Sequence, residues 1–273
     1  MVVDFDPVLF SIGPISIRWY GLMYIIGFVL GTYLLKVLSE RKFLKLSVEQ
    51  VDQYVFQLFV GMLIGARLVY VFVYNFEEYS QGQWWEFIAI WQGGLSFHGA
   101  VLGMSIATYL FARRHGLHFF HLADAMAIAG SPGLFFGRMG NFINGELYGR
   151  VTESWVGMIF PAGGPYPRHP SQLYEGILEG LVLFIILWWA KDKVNRYGVI
   201  SAIFMLGYGS ARFIVEFFRQ PDPQLGLYFN LVSMGQILCS FMWAVALLFY
   251  LWSRQANLRL SYNRGSEAQS QSH

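Results

Sequence analysis

The chain has 273 residues, of which 55% are hydrophobic and 13% charged, and its formal net charge is +2. A charged fraction near half that of a typical soluble domain (about 25%) excludes an ordinary soluble protein and predicts an integral membrane protein. The small net charge says little about partners, because the position of each charge matters more in a membrane protein. The single cysteine, Cys239, excludes an internal disulfide, and its apolar surroundings favour a buried side chain over a catalytic thiol.

Seven apolar stretches have about the 20 residues that a bilayer span requires. We predict a transmembrane helix for each of them: Trp19–Leu38, Val51–Tyr74, Phe87–Ala112, Leu122–Gly140, Ser171–Ala190, Val199–Phe218 and Tyr228–Trp252. The predicted fold is therefore an all-α membrane protein with a single seven-helix domain over residues 1–253 and a polar tail at 254–273. No basic segment precedes the first apolar run, so we expect the first helix to stay in the protein instead of being cleaved as a signal peptide.

The basic residues predict the orientation of these helices. Twelve of the 19 lysines and arginines follow spans one, three, five and seven, and only four lie in the other connections. Because cytoplasmic loops are enriched in Lys and Arg, the N-terminus is predicted to be outside and the C-terminus cytoplasmic. Residues 141–170 are then expected to form an arm or head on the outer, periplasmic side.

The densest group of polar residues within an apolar region is the fourteen-residue stretch Gly137–Arg150, at the end of the fourth predicted span. Its sequence is Gly-Arg-Met-Gly-Asn-Phe-Ile-Asn-Gly-Glu-Leu-Tyr-Gly-Arg. An arginine at bilayer depth costs about 2.5–3.5 kcal/mol on insertion scales and is usually kept for function. The alternative, a helix cap with a surface turn, requires neither the two asparagines nor the arginine beside them.

Three arginines interrupt predicted spans: Arg67, Arg138 and Arg212. A planar guanidinium matches the oxygens of a phosphate well, so arginines without internal counter-charges indicate an anionic ligand. In the sixth span, helical spacing places four polar side chains on one face, Tyr208, Arg212, Glu216 and Arg219. The sequence leaves open whether Glu216 pairs with Arg212 as a structural ion pair.

His98 lies in the glycine-rich segment Gly93–Ala100, where the backbone can leave helical geometry and approach a substrate. A histidine there could take a proton from a hydroxyl or a thiol. The alternative is a structural histidine in the core of the protein.

A second histidine segment, Arg168–Glu175, precedes the fifth span. Pro170 and Ser171 indicate a helix start with Ser171 as the N-cap, and such a terminus offers amide donors to an anion. His169 and Glu175 could instead form a buried structural pair. The remaining histidines do not form a metal-ligand set with either of the two singled out here.

Taken together, these segments resemble the bacterial prolipoprotein diacylglyceryl transferases, and the resemblance covers essentially the whole chain. Beside Gly137–Arg150 it rests on Phe5–Pro14, Trp19–Tyr24, Gly94–Gly99, Arg168–Glu175 and Val215–Asp222. The fourteen-residue stretch is that family's signature.

The resemblance implies a multi-pass enzyme of the bacterial cytoplasmic membrane with its active site towards the outer side. It would transfer the sn-1,2-diacylglyceryl group of phosphatidylglycerol to the lipobox cysteine of a prolipoprotein, giving a thioether and glycerol 1-phosphate. This is the first step of lipoprotein maturation. The implied partners are phosphatidylglycerol, prolipoprotein signal peptides and membrane lipids, with no metal, cofactor or nucleic acid.

By motif, Arg138 and Arg212 would hold the lipid phosphate and His98 would be the candidate base, although an arginine that lowers the thiol pKa would serve as well. The residues implied in substrate binding are Tyr20, Asn141, Asn144, Glu146, Gly149, Arg150, His169, Tyr208, Glu216 and Arg219. Two other functions stay open on the residues alone: a small-molecule transporter, against which the lack of duplicated halves argues, and a non-catalytic assembly factor for lipoproteins.

Overall fold

The computed structural model describes residues 1–13, 15–82, 84–89, 93–220, 227–228 and 232–255, and most of them are helical. The α-helices are α1 Trp19–Glu40, α2 Val48–Val69, α3 Phe76–Gln81, α4 Phe97–Arg114, α5 Phe119–Ile143, α6 Ser171–Glu175, α7 Leu183–Ala190, α8 Val199–Val215 and α9 Met234–Gln255. Two π-helical segments extend α2 and join α6 to α7, at Tyr70–Tyr74 and Gly176–Val182, and 3-10 turns lie at Trp84–Ile88 and Pro161–Gly163.

Among the described residues, five helices are long and apolar enough to cross a membrane. They are Trp19–Glu40, Val48–Tyr74, Phe119–Ile143, Ser171–Ala190 and Met234–Arg254, which match the predicted spans one, two, four, five and seven. Large apolar side chains on these helices are solvent-exposed in the isolated chain, for example Phe28, Phe56, Ile185 and Phe241. Exposed apolar surface on long apolar helices is what contact with lipid requires.

The other two predicted spans are helices that differ from the prediction. The sixth, α8, is apolar and has 17 residues. The third was predicted from Phe87, but α4 begins only at Phe97, after its N-cap Ser96. Gly93 and Gly94 have positive φ angles (88° and 75°), which a right-handed helix cannot accommodate, so the helix begins after them.

The prediction of an all-α protein is correct for the bulk of the chain but missed two small sheets. β1 Val8–Ile12 pairs antiparallel with β2 Ile15–Arg18 directly before α1, and β3 Leu227–Tyr228 pairs with β4 Val232–Ser233 directly before α9. Both hairpins lie outside the five candidate spans. Most of the predicted polar tail, residues 256–273, lies outside the described residues.

The chain divides into two compact units. One comprises Met1–Val37 and Asp124–His273, and the other comprises Leu38–Ala123. In the second unit α2 packs along α4, and Tyr54 and Thr108 share a buried hydrogen bond of 2.9 Å between these helices. In the first unit the carboxylate of Asp124 accepts hydrogen bonds from the backbone of Gly198 and Ser201, which attaches the start of α8 to α5.

The segment predicted as an outer arm, residues 141–170, is part of the first unit and pairs with the N-terminal segment. Isolated β-bridges pair Val2 with Ile159, and Arg168 with both Val151 and Met158. Val3, Phe142 and Phe160 form a buried cluster beneath it. The polar stretch after α5 is therefore anchored to the N-terminal segment by backbone pairing and by a small hydrophobic core.

Candidate active site

The signature stretch Gly137–Arg150 begins on the last turns of α5 and continues through a tight helix end. Gly145 has φ +64°, and its N–H bonds to the carbonyl of Phe142, while the N–H of Glu146 bonds to the carbonyl of Asn141. This is the hydrogen-bond pattern of a Schellman motif, which requires a left-handed residue where Gly145 stands. The chain reverses there and brings Glu146 back towards the helix that precedes it.

The carboxylate of Glu146 accepts hydrogen bonds from both asparagine side chains of the stretch. Nδ2 of Asn141 donates to its Oε1 over 2.8 Å, and Nδ2 of Asn144 donates to the same atom over 3.4 Å. Tyr20, at the start of α1, also bonds to the Asn141 side chain, and its hydroxyl is 3.0 Å from that of Tyr24. Four of the predicted site residues, from α1 and from the signature stretch, are thus brought together.

Arg138 lies on α5 about one turn before Asn141. It has two acidic neighbours that were not predicted to pair with it. Its Nη2 is 2.6 Å from Oε2 of Glu175 and 3.7 Å from Oε2 of Glu179. Both glutamates are buried, whereas 24% of the Arg138 side chain is exposed. The guanidinium is therefore held by buried carboxylates, while part of the Arg138 side chain remains exposed.

The two glutamates reach Arg138 because the helix that carries them approaches α5 closely. Glu175 is the last residue of α6, and Glu179 lies in the π-helical turn Gly176–Val182. A Cβ atom at Gly180 would lie 2.7 Å from the backbone nitrogen of Phe135 on α5, so only glycine permits this approach. Single π-helical turns within α-helices occur frequently at functional sites.

The four polar residues predicted to share a face of the sixth span point into the same cluster, although only Tyr208 and Arg212 lie on α8, Glu216 is its C-cap and Arg219 follows it. Arg212 and Glu216 form an ion pair, which answers the question that the sequence left open. Nε of Arg219 is 3.7 Å from Oε1 of Glu175, and its Nη1 is 4.0 Å from Oε2 of Glu216. Tyr208 interacts electrostatically with Arg138, Glu179 and Arg212. Arg138 and Arg212 thus have different ion-pair partners, and both interact electrostatically with Glu175 and Glu179.

A backbone network connects the signature stretch to the end of α8. Gly149 pairs with Arg219 in an antiparallel bridge, and the N–H of Gly149 donates to the carbonyl of His169 over 2.8 Å. The Nε atom of Arg150 donates to the carbonyl of Arg219 over 2.9 Å. Gly149 is buried. The hydrogen bond of the Arg150 side chain links the signature stretch to the segment that follows α8.

His169 belongs to this network, and the structure tests one of its two sequence interpretations, the pairing with Glu175. Its Nδ1 is 3.1 Å from the hydroxyl of Tyr174, and its ring packs edge to face against Phe218. Glu175 pairs with arginines, so the proposed pairing of His169 with Glu175 is wrong. Partial burial lowers the pKa of His169, which favours the neutral imidazole.

The prediction that Ser171 is an N-cap is also wrong. The N-cap position is Pro170, and Ser171 is the first residue of α6. Its hydroxyl donates to the carbonyl of Leu147 over 3.0 Å, and Nε2 of Gln172 donates to the carbonyl of Glu146 over 2.6 Å. The start of α6 therefore holds the signature loop.

His98 lies in the second unit, in the first turn of α4, and its side chain is exposed. Its Nδ1 is 3.4 Å from the hydroxyl of Tyr74. The glycine-rich break predicted here is present, since Gly93 and Gly94 both have positive φ.

Arg67, also in the second unit, has a structural role that the sequence did not reveal. Its guanidinium donates to the carbonyls of Phe87, Gly93 and Gly94 over 2.8–3.0 Å and to the hydroxyl of Tyr79. Because these acceptors lie in the segment before α4, the hydrogen bonds of Arg67 hold this break in place.

Beside the signature stretch lies a cavity of about 440 Å³ between the N-terminal segment and the end of α5. Seven residues line it, and all except Asp6 are apolar: Phe5, Asp6, Val8, Trp19, Met139, Phe142 and Ile143. A hydrocarbon chain suits such a lining better than a polar group does.

Within the described part of the chain, no group of three or more His, Cys, Asp or Glu residues is arranged to hold a metal ion.

Sequence reasoning missed Glu175 and Glu179 as partners of the arginines. Their spacing of four residues within the apolar run Ser171–Ala190 was the available signal, since two carboxylates on one face of a span require counter-charges. The resulting site holds two guanidiniums beside buried carboxylates, and 24% of the Arg138 side chain is exposed. A planar guanidinium is suited to bind a phosphate.

Comparison with known proteins agrees with this chemistry. A family model described as prolipoprotein diacylglyceryl transferase matches residues 7–252. Relatives named phosphatidylglycerol–prolipoprotein diacylglyceryl transferase are 47% identical in Vibrio campbellii over 93% of each chain, and 46% identical in Vibrio cholerae over 93% of this chain and 94% of the relative. A relative of the same name from Photobacterium profundum is 47% identical over 92% of this chain and 94% of its own length. The chain is a multi-pass membrane protein that belongs to the prolipoprotein diacylglyceryl transferase family.

Proposed function

We propose that this protein transfers the sn-1,2-diacylglyceryl group of phosphatidylglycerol to the lipobox cysteine thiol of prolipoproteins. The observation that carries the proposal is that Arg138 and Arg212 belong to one cluster with buried glutamates, while part of the Arg138 side chain stays exposed. The family and its named relatives support the same reaction.

The reaction forms a carbon–sulfur bond and breaks the bond between the glyceryl carbon and a phosphate oxygen. The electron pair of the broken bond leaves with glycerol 1-phosphate, so negative charge grows on the departing phosphate. Two guanidiniums held in place before the reaction stabilise that charge more strongly in the transition state than in the ground state. The buried glutamates contribute by fixing the orientation of both guanidiniums in advance.

The thiol must lose its proton before or during the attack, because a free cysteine with a pKa near ~8.5 is mostly protonated at neutral pH. His98 is our candidate for the base, on the strength of its motif and of the glycine-rich break that precedes α4. A nearby arginine that lowers the thiol pKa is the alternative. If His98 is the base, a neutral residue in its place should lower the transfer rate. If an arginine activates the thiol, the rate should be retained.

The remaining predicted site residues divide into two proposed roles. Arg219, Tyr208 and Glu216 extend the arginine and glutamate cluster, and we place them at the lipid headgroup. Tyr20, Asn141, Asn144 and Glu146 form one hydrogen-bonded group that shapes the loop beside it, to which Gly149, Arg150 and His169 are attached through the backbone network. The apolar cavity beside the end of α5 is our candidate for holding an acyl chain.

For the membrane, we propose seven crossings, with α4 and α8 added to the five candidate spans. The distribution of Lys and Arg supports an outer N-terminus, a cytoplasmic C-terminus and an active site on the outer side of the bacterial inner membrane. A cysteine introduced at the exposed Ser154 should react with an impermeant thiol reagent on intact spheroplasts. Reaction only after lysis would show that this segment faces the cytoplasm and would contradict the proposed orientation.

The function itself is tested by incubating the purified protein with phosphatidylglycerol and a lipobox peptide. We expect mass spectrometry to show the diacylglyceryl adduct on the cysteine and release of glycerol 1-phosphate. A peptide with serine in place of the cysteine is the control. Movement of solute across vesicles without any adduct would favour a transporter, and peptide binding without an adduct would favour an assembly factor.

A further inference from the structure

Six buried or partly buried charged side chains of the first unit form one cluster whose formal charges cancel. Three are arginines and three are glutamates, joined by ion pairs of 4.0 Å or less: Arg138, Arg212, Arg219, Glu175, Glu179 and Glu216. A cluster that is already neutral gains a net charge when an anion enters it. In a low-dielectric region that surplus charge is costly unless a proton or a counter-ion compensates it.

The three carboxylates are not equally stabilised as anions. Glu175 lies 2.6 Å from Arg138, and Glu216 is paired with Arg212. Glu179 is 3.7 Å from its nearest arginine nitrogen and is completely buried. Neither of its carboxylate oxygens accepts a hydrogen bond from any part of the chain that the structure describes. The same holds for Glu175, so the longer distance to an arginine is what distinguishes Glu179.

Among the described residues, the charged and titratable groups that face Glu179 belong to the cluster, apart from Tyr208 on α8 and the thiol of Cys239 on α9, which adjoin it. Arg138 faces it from α5, Glu175 from the preceding turn, Arg212 and Tyr208 from α8, and Arg219 from the segment after α8. The negative charge of a phosphate bound to Arg138 and Arg212 would offset the attraction that these arginines exert on Glu179. Glu179 would then lose attraction from both arginines while the repulsion from Glu175 remained, so it is the carboxylate that anion binding destabilises most.

We propose that Glu179 takes up one proton when the phosphate of phosphatidylglycerol binds to Arg138 and Arg212. This inference rests on the proposed function, which supplies the anionic lipid. The proton comes from solvent, the carboxylate becomes a carboxylic acid, and the single negative charge of the phosphodiester is compensated. Glu175 and Glu216 stay ionised and keep the two guanidiniums oriented. When the anionic product leaves, Glu179 releases the proton and the neutral cluster is restored.

Equilibrium binding of phosphatidylglycerol to the full-length protein in detergent micelles, from about pH 6 to about pH 8.5, tests this proposal without any peptide thiol. Uptake of one proton predicts that the Kd of the wild-type protein rises with pH, by up to about tenfold per pH unit. Glu179→Gln keeps the shape of the side chain and is permanently neutral. We expect its Kd to be independent of pH and no weaker than that of the wild type at the upper end of the range. Glu153→Gln, at an exposed glutamate of the outer segment, is the matched control and should keep the wild-type slope.

Two results would overturn the proposal: a wild-type Kd that does not change with pH, or an unchanged slope in Glu179→Gln. If thermal unfolding shows that Glu179→Gln does not fold, Glu179→Asp, which keeps the carboxyl group, replaces it. A slope that is displaced along the pH axis in that variant supports the proposal, and a pH profile identical to that of the wild type contradicts it. The adduct assay distinguishes a failure of the proton-uptake proposal from a failure of the proposed transferase function. Adduct formation by a protein whose lipid binding has no slope refutes only the proton uptake, whereas pH-dependent binding without an adduct refutes only the transferase function.

Discussion

Arg138 and Glu175 lie 2.6 Å apart, on two helices of the first unit that are separated by the whole outer segment in sequence. Glu175 is 1% exposed, so its charge is stabilised mainly by this arginine and by Arg219. The pair keeps the Arg138 guanidinium in one orientation at the edge of the cluster. A fixed cation that remains accessible can bind a phosphate without first reorganising its surroundings.

Arg138→Lys and Arg212→Lys should each lower the rate of diacylglyceryl transfer by about 100-fold or more. Lysine keeps the charge but lacks the planar fork that can contact a carboxylate and a phosphate together, and loss of one such donor group typically costs about 10²–10³ in rate. The rate of adduct formation on a lipobox peptide measures this effect. Arg41→Lys, at an exposed arginine of the second unit, is the control. Near-normal turnover in both cluster variants would remove the arginines from the phosphate site.

His98→Gln separates the two candidates for thiol activation. If His98 is the base, the variant should lose most of the transfer rate, and the loss should persist from about pH 6 to about pH 8, because glutamine cannot accept the proton. Initial rates at saturating phosphatidylglycerol provide the measurement. Tyr74→Phe removes the hydroxyl next to Nδ1 and tests whether this neighbour orients the ring. A full rate in His98→Gln over the whole range would leave activation to an arginine.

Asn141→Asp should abolish transfer by placing a second carboxylate where the Asn141 amide now donates to Glu146 over 2.8 Å. Two like charges at this distance repel each other and would push the signature loop away from α5. Adding Glu146→Gln to that variant removes the second carboxylate. The amide then lies at position 146 and can donate to the carboxylate at position 141. We expect the double variant to recover part of the activity, measured as adduct yield. If the double variant is no more active than Asn141→Asp alone, Glu146 has a role beyond bracing the loop.

Gly149→Ala should destabilise the first unit and lower transfer with it. A Cβ atom there would lie 2.5 Å from the carbonyl oxygen of Phe218 and 2.7 Å from that of His169, and backbone atoms cannot move aside as a flexible side chain can. Overpacking of this kind costs about 1–3 kcal/mol. Gly130→Ala, where the added methyl group meets no atom within 4 Å, should leave the thermal unfolding midpoint unchanged or raise it. Equal midpoints for both variants would contradict the packing described for Gly149.

Much of the site could be predicted from residue type and helical spacing. The polar face of α8 follows from the three- and four-residue spacing of Tyr208, Arg212, Glu216 and Arg219 and is confirmed as a group. The roles of Glu146 and Arg150 could not be predicted in this way, since both depend on where the chain turns after α5. Gly145 is the local signal for that turn, but the partner of Arg150 is the carbonyl of Arg219, far away in sequence.

The sequence by itself determined the membrane character, most of the helices and the family, because the energetic cost of placing a polar group in a bilayer acts on each residue locally. Only the tertiary structure decided which charges compensate one another. Arg138 meets Glu175 and Glu179 because glycines let two helices approach closely, and a contact between distant segments leaves no periodic pattern in either of them. The same limit explains Arg67, whose acceptors are backbone carbonyls that no side-chain pattern reveals.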